Sequence, residues 1–525
     1  MKLTVLEIGI FTVYLITTIA IGFFAGRKGN KSTSDYFLAG RKLPWYAVGF
    51  SLIATSISTE QFIGEVGWGY QYGMAVANWE WLCWPAQALL LFFFLPLYLK
   101  SKIYTVPEYL MKRFGNLAGT AFSLVCIVMY MIVNLPLVLY SGGFVLEKIF
   151  GVNIILAIWI LAISTGAYAI YGGLSSVVWT DFFQGLLLIA GGLLVFFLGV
   201  HAVPGGLPAI IGTGERAHLM PSANHPMLPW TGIIAMAFVT SGFYYSSNQY
   251  ITQRCLGAKT EWDGKMGVVL AVFLGIPLGL CVTWPGMIAY AINPNLEQCD
   301  AAYPFLIATV VPKVLRGIIF AGLTAAIMST ISSLYNSTAS LVTLDIYKRL
   351  INRSASDRHL VRFAQIFGIV FLITSTLWAP VVGKFKSIFD YVQSCWALMM
   401  APCMAVFILA IFWKRATYAA AVVTLVSSLP MLLIVFLRQF YGILGKINIF
   451  NLSGIIFIIS LFLMVIVSLI TKPPEPEQLK TTIWKPQMLK LPEEELKRGY
   501  PFWKWIGLWF AAVVAIFVVI YAKFW

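Results

Sequence analysis

Charge is scarce in this sequence: only 11% of its 525 residues are Asp, Glu, Lys or Arg, against 60% hydrophobic. That is too little polar surface to coat a soluble globule of this length, which excludes a water-soluble fold. Cysteine is sparse as well, seven residues with no CxxC pair and only Cys299 in a clearly external stretch, so no disulfide is expected. The four histidines, His201, His218, His225 and His359, fall in expected loops or at the ends of apolar runs, which argues against a buried imidazole proton relay. There is no GxGxxG, P-loop or HExxH, and the glycines of GWGYQYG (67–73) lack phosphate-loop spacing. No constellation of nucleophile, base and metal ligand is present, so an enzyme is not expected.

What the sequence has in quantity is apolar runs near 20 residues, each long enough at about 1.5 Å per residue to cross roughly 30 Å of hydrocarbon. Fourteen are expected, at 4–25, 45–68, 73–99, 118–149, 152–171, 179–203, 229–250, 266–293, 315–343, 363–384, 387–413, 417–438, 450–471 and 502–524. With the N-terminus outside, the loops that become cytoplasmic hold 26 of the 36 Lys and Arg residues, so the net charge of +15 reads as topology rather than as a nucleic-acid surface. A multi-pass protein of the cell membrane follows, with both termini extracytoplasmic. The first run is longer than a signal-peptide core and precedes RKGNK without a small-residue cleavage site, so it reads as a retained span.

Between the first run and the last three, ten runs divide into two sets of five, 45–203 and 229–413. Five is odd, so the second set starts from the opposite membrane face and any repeat between them is inverted. Transporters with such repeats bind substrate at the midplane, where discontinuous helices meet. The remaining parts are residues 1–44 (first helix and cytoplasmic loop), 204–228 (extracytoplasmic loop) and 414–525 (peripheral helices with a cytoplasmic linker at 472–500). Each set opens with a run poorly suited to lipid, ATSISTEQFIG (54–64) in one and VTSGFYYSSNQY (239–250) in the other. Backbone left unpaired at membrane depth must be buried in protein or line a cavity, and a freed carbonyl is a ligand for a hard cation such as Na+. Matching oxygens lie in 321–343, where Ser329, Thr330, Ser333, Asn336, Ser337 and Ser340 fall on one stripe about 120° wide. Small-residue helix packing explains such a stripe equally well.

These segments resemble the sodium:solute symporter family, specifically its sodium/glucose cotransporter branch. The likeness is carried by SISTEQFIG (56–64), NWEW (78–81), IYTVPEYLMKRF (103–114), VNLPLVLYSGG (133–143), YGGLSSVVWTDFFQ (171–184), NQYITQRCLGAK (248–259) and NSTASLVTLDIYK (336–348). It spans about residues 5–415. The resemblance implies a LeuT-like five-plus-five inverted-repeat core within an all-α membrane protein of about 14 helices. It implies Na+-coupled symport of a sugar or polyol, two Na+ per substrate, by alternating access.

By the same resemblance, one Na+ site falls on the carbonyls of Ala54, Ile57 and Ala326 with the hydroxyls of Ser329 and Thr330. A second falls on Asp181, Ser332 and Ser333, unless Asp181 only caps a helix beginning at Phe182. Substrate contacts fall on Gln61, Glu80, Asn134 and Gln393, with Tyr244 as the inner gate. A carboxylate and amides suit a polyol, since together they accept and donate to its hydroxyls. The bland readings are that Asn134 bridges helices, Gln393 satisfies broken backbone and Glu80 caps a helix. Gly275 and Cys83 stand where galactose-binding relatives carry Lys and Ser, which leaves the sugar open. Glu60 and Glu65 receive no role.

Apart from the resemblance, no Lys or Arg between 45 and 413 falls at the centre of a run, so a buried cation for an anionic solute is not expected and a neutral polyol fits best. A cationic solute stays open through Glu80. A sensor or ion leak that binds Na+ and sugar without transport is the alternative from another class. The only long hydrophilic stretch, 472–500, contains PPEPE and reads as a linker rather than a signalling domain.

Overall fold

In lipid each helix closes its own backbone hydrogen bonds, which makes helices the natural outcome of so apolar a chain. The computed structural model is all-helical and describes residues 4–27, 32–383, 388–497 and 499–525. Lys2, Lys28, Lys31, Lys384, Lys386 and Arg498 of the charge count, and positions 384 and 387 that bound two expected runs, lie outside the described residues. The elements used below are α1 (Val5–Gly26), α2 (Trp45–Ser56), α3 (Asn78–Trp81), α4 (Leu135–Phe150), α5 (Ile154–Ala202), α6 (Ser241–Ser246), α7 (Gln249–Leu256), α8 (Glu261–Val282), α9 (Lys313–Ser340), α10 (Ile388–Phe412) and α11 (Ile506–Phe524).

Among the described residues, eleven helices are long and apolar enough to cross a membrane. That is fewer than fourteen because expected runs are joined or broken. The runs at 152–171 and 179–203 form the single 49-residue α5, and the run at 229–250 is divided into short pieces. Within α5, Gly173 adopts φ 59° and ψ −151°, and a Cβ there would lie 2.3 Å from the Tyr36 carbonyl. Glycine is required at this bend on both counts.

α9 is the centre of the molecule, with every residue from Ile319 to Leu341 buried. A helix buried on all sides has no lipid face, so its hydroxyls must find partners inside the protein. α5 and α1 pack against it, Tyr168 donating to the Met328 carbonyl (3.4 Å) and Gln184 to the Tyr14 hydroxyl (3.1 Å). α11, by contrast, buries only Val513 and Phe517 along its length.

The stretch 472–497 is a packed strap across the helix ends. Tyr109 donates to the Thr482 carbonyl (2.9 Å) and the Trp484 indole to the Phe92 carbonyl (3.0 Å). The Glu495 carboxylate accepts from the first amides of α8, Glu261 (2.8 Å) and Trp262 (3.1 Å), where a negative charge complements the helix dipole. Arg113 is fully buried in the amphipathic helix Val106–Phe114 and donates to the Ala410 and Trp413 carbonyls (both 3.1 Å), closing the end of α10.

Candidate functional site

Both runs that looked unsuited to lipid are interrupted. α2 stops at Ser56, Ile57 is extended (φ −109°, ψ 125°), and helix resumes at Thr59. α6 stops at Ser246, and Asn248 (φ −80°, ψ 122°) precedes α7. At the first break Gln61 acts as a clasp. Its amide oxygen accepts from the Ser58 amide (2.8 Å), and its amide nitrogen donates to the Ser56 carbonyl (3.3 Å). Satisfying broken backbone, the role weighed for Gln393, belongs to Gln61.

The carbonyls on either side of Ser56 have a different partner. The Thr330 hydroxyl on α9 lies 3.3 Å from the Thr55 carbonyl, 3.3 Å from the Ile57 carbonyl and 3.2 Å from the Ala326 carbonyl. One hydroxyl proton bonds one acceptor at a time, so the Thr55 and Ile57 carbonyls at the break compete for it with Ala326, which also has its helical amide donor. Such an oxygen cluster is electrostatically suited to a small hard cation. Ile57, Ala326 and Thr330 therefore meet here; Ala54 is buried one residue before the carbonyl that reaches Thr330.

The second group gathers around Asp181, which is fully buried. Its carboxylate accepts from Ser51 (2.6 Å) and Thr55 (3.1 Å) on α2 and from Ser329 (2.8 Å) on α9. Asp181 lies inside α5, so it is not a helix cap. Ser333 joins the cluster through Thr55 (2.9 Å), whereas the Ser332 hydroxyl turns back to the Ser329 carbonyl (2.9 Å). Ser329, expected beside Thr330, is committed to Asp181. A cation that drew Ser329 away would loosen the carboxylate, which links the two clusters.

A third group lines an internal cavity of about 60 Å³ that brings together Gln61, Glu80, Tyr244 and Gln393. Trp396 and Tyr250 box Tyr244, with ring centroids 5.4 and 5.8 Å away, and the Tyr250 hydroxyl donates to that of Tyr244 (3.0 Å). Asn134 is buried one turn after Tyr130, its amide oxygen without a partner among the described residues, and is not part of the cavity lining. Glu60 lines the cavity, while Glu65 accepts from Thr283 (2.8 Å). Cys83 also lines it, and a Cβ on Gly275 would stand 3.5 Å from the Glu80 carbonyl, so the glycine leaves room beside Glu80.

The sequence profile of the sodium:solute symporter family matches residues 36–428, about three quarters of the sequence. The chain belongs to that family. The symporter is 37% identical to the sodium/glucose cotransporter of Vibrio parahaemolyticus over 82% of its own length and 85% of that protein's. It is 31% identical to the sodium/myo-inositol cotransporter of Canis lupus familiaris, covering 94% and 78% of the two chains. A solved Na+-coupled sialic acid symporter, substrate-bound and outward-open, superposes with a TM-score of 0.78 over 90% of this chain and 99% of its own, at 25% identity. The protein is a Na+-coupled membrane symporter with a LeuT-like fold, not an enzyme.

One reading from the sequence needs correction in the symporter. Arg254, expected in a cytoplasmic loop, is fully buried. The expected run ended at residue 250, but helix resumes after the break and α7 carries Arg254 inward. Its guanidinium donates to Ser51 (2.8 Å) and Ser333 (2.6 Å) and lies 3.7 Å from the Asp181 carboxylate. Ser51 and Thr55 were also missed; their i, i+4 spacing on one face of α2 was the available signal. Asn78 is a further residue of this kind. It donates to the Leu219 carbonyl (2.6 Å) and accepts from Tyr521 of α11 (2.5 Å), tying the 204–228 loop and the last helix to α3, which carries Glu80.

Proposed function

We propose that this symporter imports a neutral sugar or polyol with two Na+ ions by alternating access. The observation that carries the substrate class is the cavity lining. It offers carboxylates, amides and hydroxyls, with two glutamates and, among the described residues, no lysine or arginine. A carboxylate-bearing solute would meet repulsion there, whereas a polyol supplies hydroxyls that donate to carboxylates and exchange bonds with amides. The Thr240 hydroxyl and one Glu60 oxygen line the cavity and are buried without a partner among the described residues, which supports a polar guest. Glu80, Gln61 and Gln393 serve as its ligands, Asn134 contributes after rearrangement, and Tyr244 closes the inner side.

In this reading the first Na+ is held by the carbonyls of Ala54, Ile57 and Ala326 and the hydroxyls of Ser329 and Thr330, with Ser329 turning from Asp181 and Ala54 from its helix to reach it. The second uses Asp181 with Ser332 and Ser333. Each charge crossing inward gains about 2.3 kcal/mol per 100 mV, so two ions supply about 4.6 kcal/mol, enough for roughly thousand-fold accumulation. The five-helix halves are 45–203 and 229–413. Fourteen crossings follow if two of the eleven long helices fold back at Gly73 and Gly173 and the interrupted passage through α6 and α7 is counted. Both termini are then extracytoplasmic, in line with the basic residues of the inner loops.

Proteoliposomes loaded with Na+-free buffer test the proposal. An inward Na+ gradient is expected to drive uptake of one or more of labelled glucose, galactose, mannose, fructose and inositol, with counterflow. Na+ current with no labelled uptake of any of the five would overturn it.

A further inference from the structure

We propose that Arg254 is a tethered cation that competes with Na+ for Asp181, so that entry of the second ion frees α7 from its junction with α2, α5 and α9. The inference rests on the second Na+ site read above and goes beyond it by naming what that ion must displace. Asp181 is a buried carboxylate and Arg254 a buried guanidinium, 3.7 Å apart, and Ser51 joins them by accepting from Arg254 while donating to Asp181. Ser333, an expected Na+ ligand, accepts from the same guanidinium at 2.6 Å. With the Thr55 proton given to Asp181, Ser333 donates to Thr55 and spends one of its two acceptor positions on Arg254, so the guanidinium stands where a cation sharing Ser333 and Asp181 would have to approach.

Charge makes the exchange strict. With Arg254 in place the carboxylate is neutralised, and a Na+ added beside it leaves a net positive charge in a buried site. Removing one partner of a buried ion pair is strongly unfavourable unless another cation takes its place. Na+ at Asp181 supplies that cation, and the guanidinium then gains more in water than in the core. Its way out is short, because Arg254 lies two residues from the end of α7 and the Ser247–Asn248 break provides a hinge at the other end. α7 also carries Tyr250, whose hydroxyl holds Tyr244 over the cavity, so moving α7 moves the gate.

The test uses the full chain in lipid nanodiscs, ²²Na+ as the only ligand, and pH 8.5 so that a proton does not take the vacated place. Asp181→Asn is expected to remove one of two bound ions. Arg254→Gln is expected to lower half-saturation for the Asp181-dependent ion at least tenfold, with Arg254→Lys between it and the unmodified protein. If Asp181→Asn leaves the number of bound ions unchanged, the second site itself fails and the inference with it. If Asp181→Asn loses an ion but Arg254→Gln binds Na+ no more tightly than before, the site stands and the competition is wrong. Hydrogen exchange on the unmodified protein gives an answer that needs no variant. Exchanging choline chloride for NaCl should raise deuterium uptake in 249–256; unchanged or lower uptake overturns the proposal.

Discussion

At the second helix break the Tyr98 phenol donates to the Ser246 carbonyl (3.2 Å), and the Tyr130 phenol donates to the Asn248 side chain. At the first, three carbonyls converge on the single proton of Thr330. The two breaks arise from similar residues, hydroxyls and amides set among small and aromatic side chains. They differ in the stoichiometry of donors to acceptors. Phenol donors from neighbouring helices hold the second break on both sides of Ser247, which suits it to a hinge. The first is short of protons, which suits it to the Na+ proposed to bind there.

Substitutions that shift this donor balance sharpen the contrast. The largest effect is expected from Thr330→Ala, which removes both a ligand and the anchor between α9 and the first break. Na+ half-saturation in uptake should rise at least tenfold, a loss of about 1.4 kcal/mol or more. Next comes Gln61→Leu, which frees the Ser58 amide and the Ser56 carbonyl and deletes a cavity amide. Half-saturation for sugar and for Na+ should rise together in transport assays, whereas a purely substrate-binding role would move the sugar value alone. Tyr98→Phe at the second break leaves a carbonyl without its phenol donor. It should cost about 1–3 kcal/mol of thermal or denaturant stability with Na+ affinity unchanged. The smallest effect on transport is expected from Ser340→Ala. Ser340 accepts from Gln253 (2.8 Å) and donates to the Asn336 carbonyl (2.7 Å), away from both clusters. Uptake kinetics within twofold of the unmodified protein would agree with that placement.

Much of this was legible in the sequence because lipid punishes polar backbone so heavily. A run carrying Ser56, Ser58, Thr59, Glu60 and Gln61 does not face hydrocarbon, and both interruptions were readable from that alone. The hydroxyl stripe of α9 was readable by its period, and so was the gathering of Ile57, Ala326 and Thr330 once the family resemblance was added. Contacts set by side-chain direction across helices were not. Thr55 rather than Ala54 turns its carbonyl to Thr330, and Ser329 rotates toward Asp181, choices that depend on packing and not on residue type. Arg254 was missed because hydropathy ended the run before the helix ended. A charged residue paired inside the protein looks, in one dimension, like a loop. The bend inside the 49-residue α5, by contrast, falls in the gap the sequence left between the runs 152–171 and 179–203, where Gly173 turns the chain although helix continues on both sides.

The most direct measurement is a pair of high-resolution cryo-EM maps of the symporter in nanodiscs, one in NaCl and one in choline chloride. The account predicts a density peak, present only in NaCl, coordinated by the Ile57 and Ala326 carbonyls and the Thr330 hydroxyl. A NaCl map with the Thr330 hydroxyl still bonded to those carbonyls and no peak between them, while ²²Na+ binding to the same sample is saturated, would contradict it.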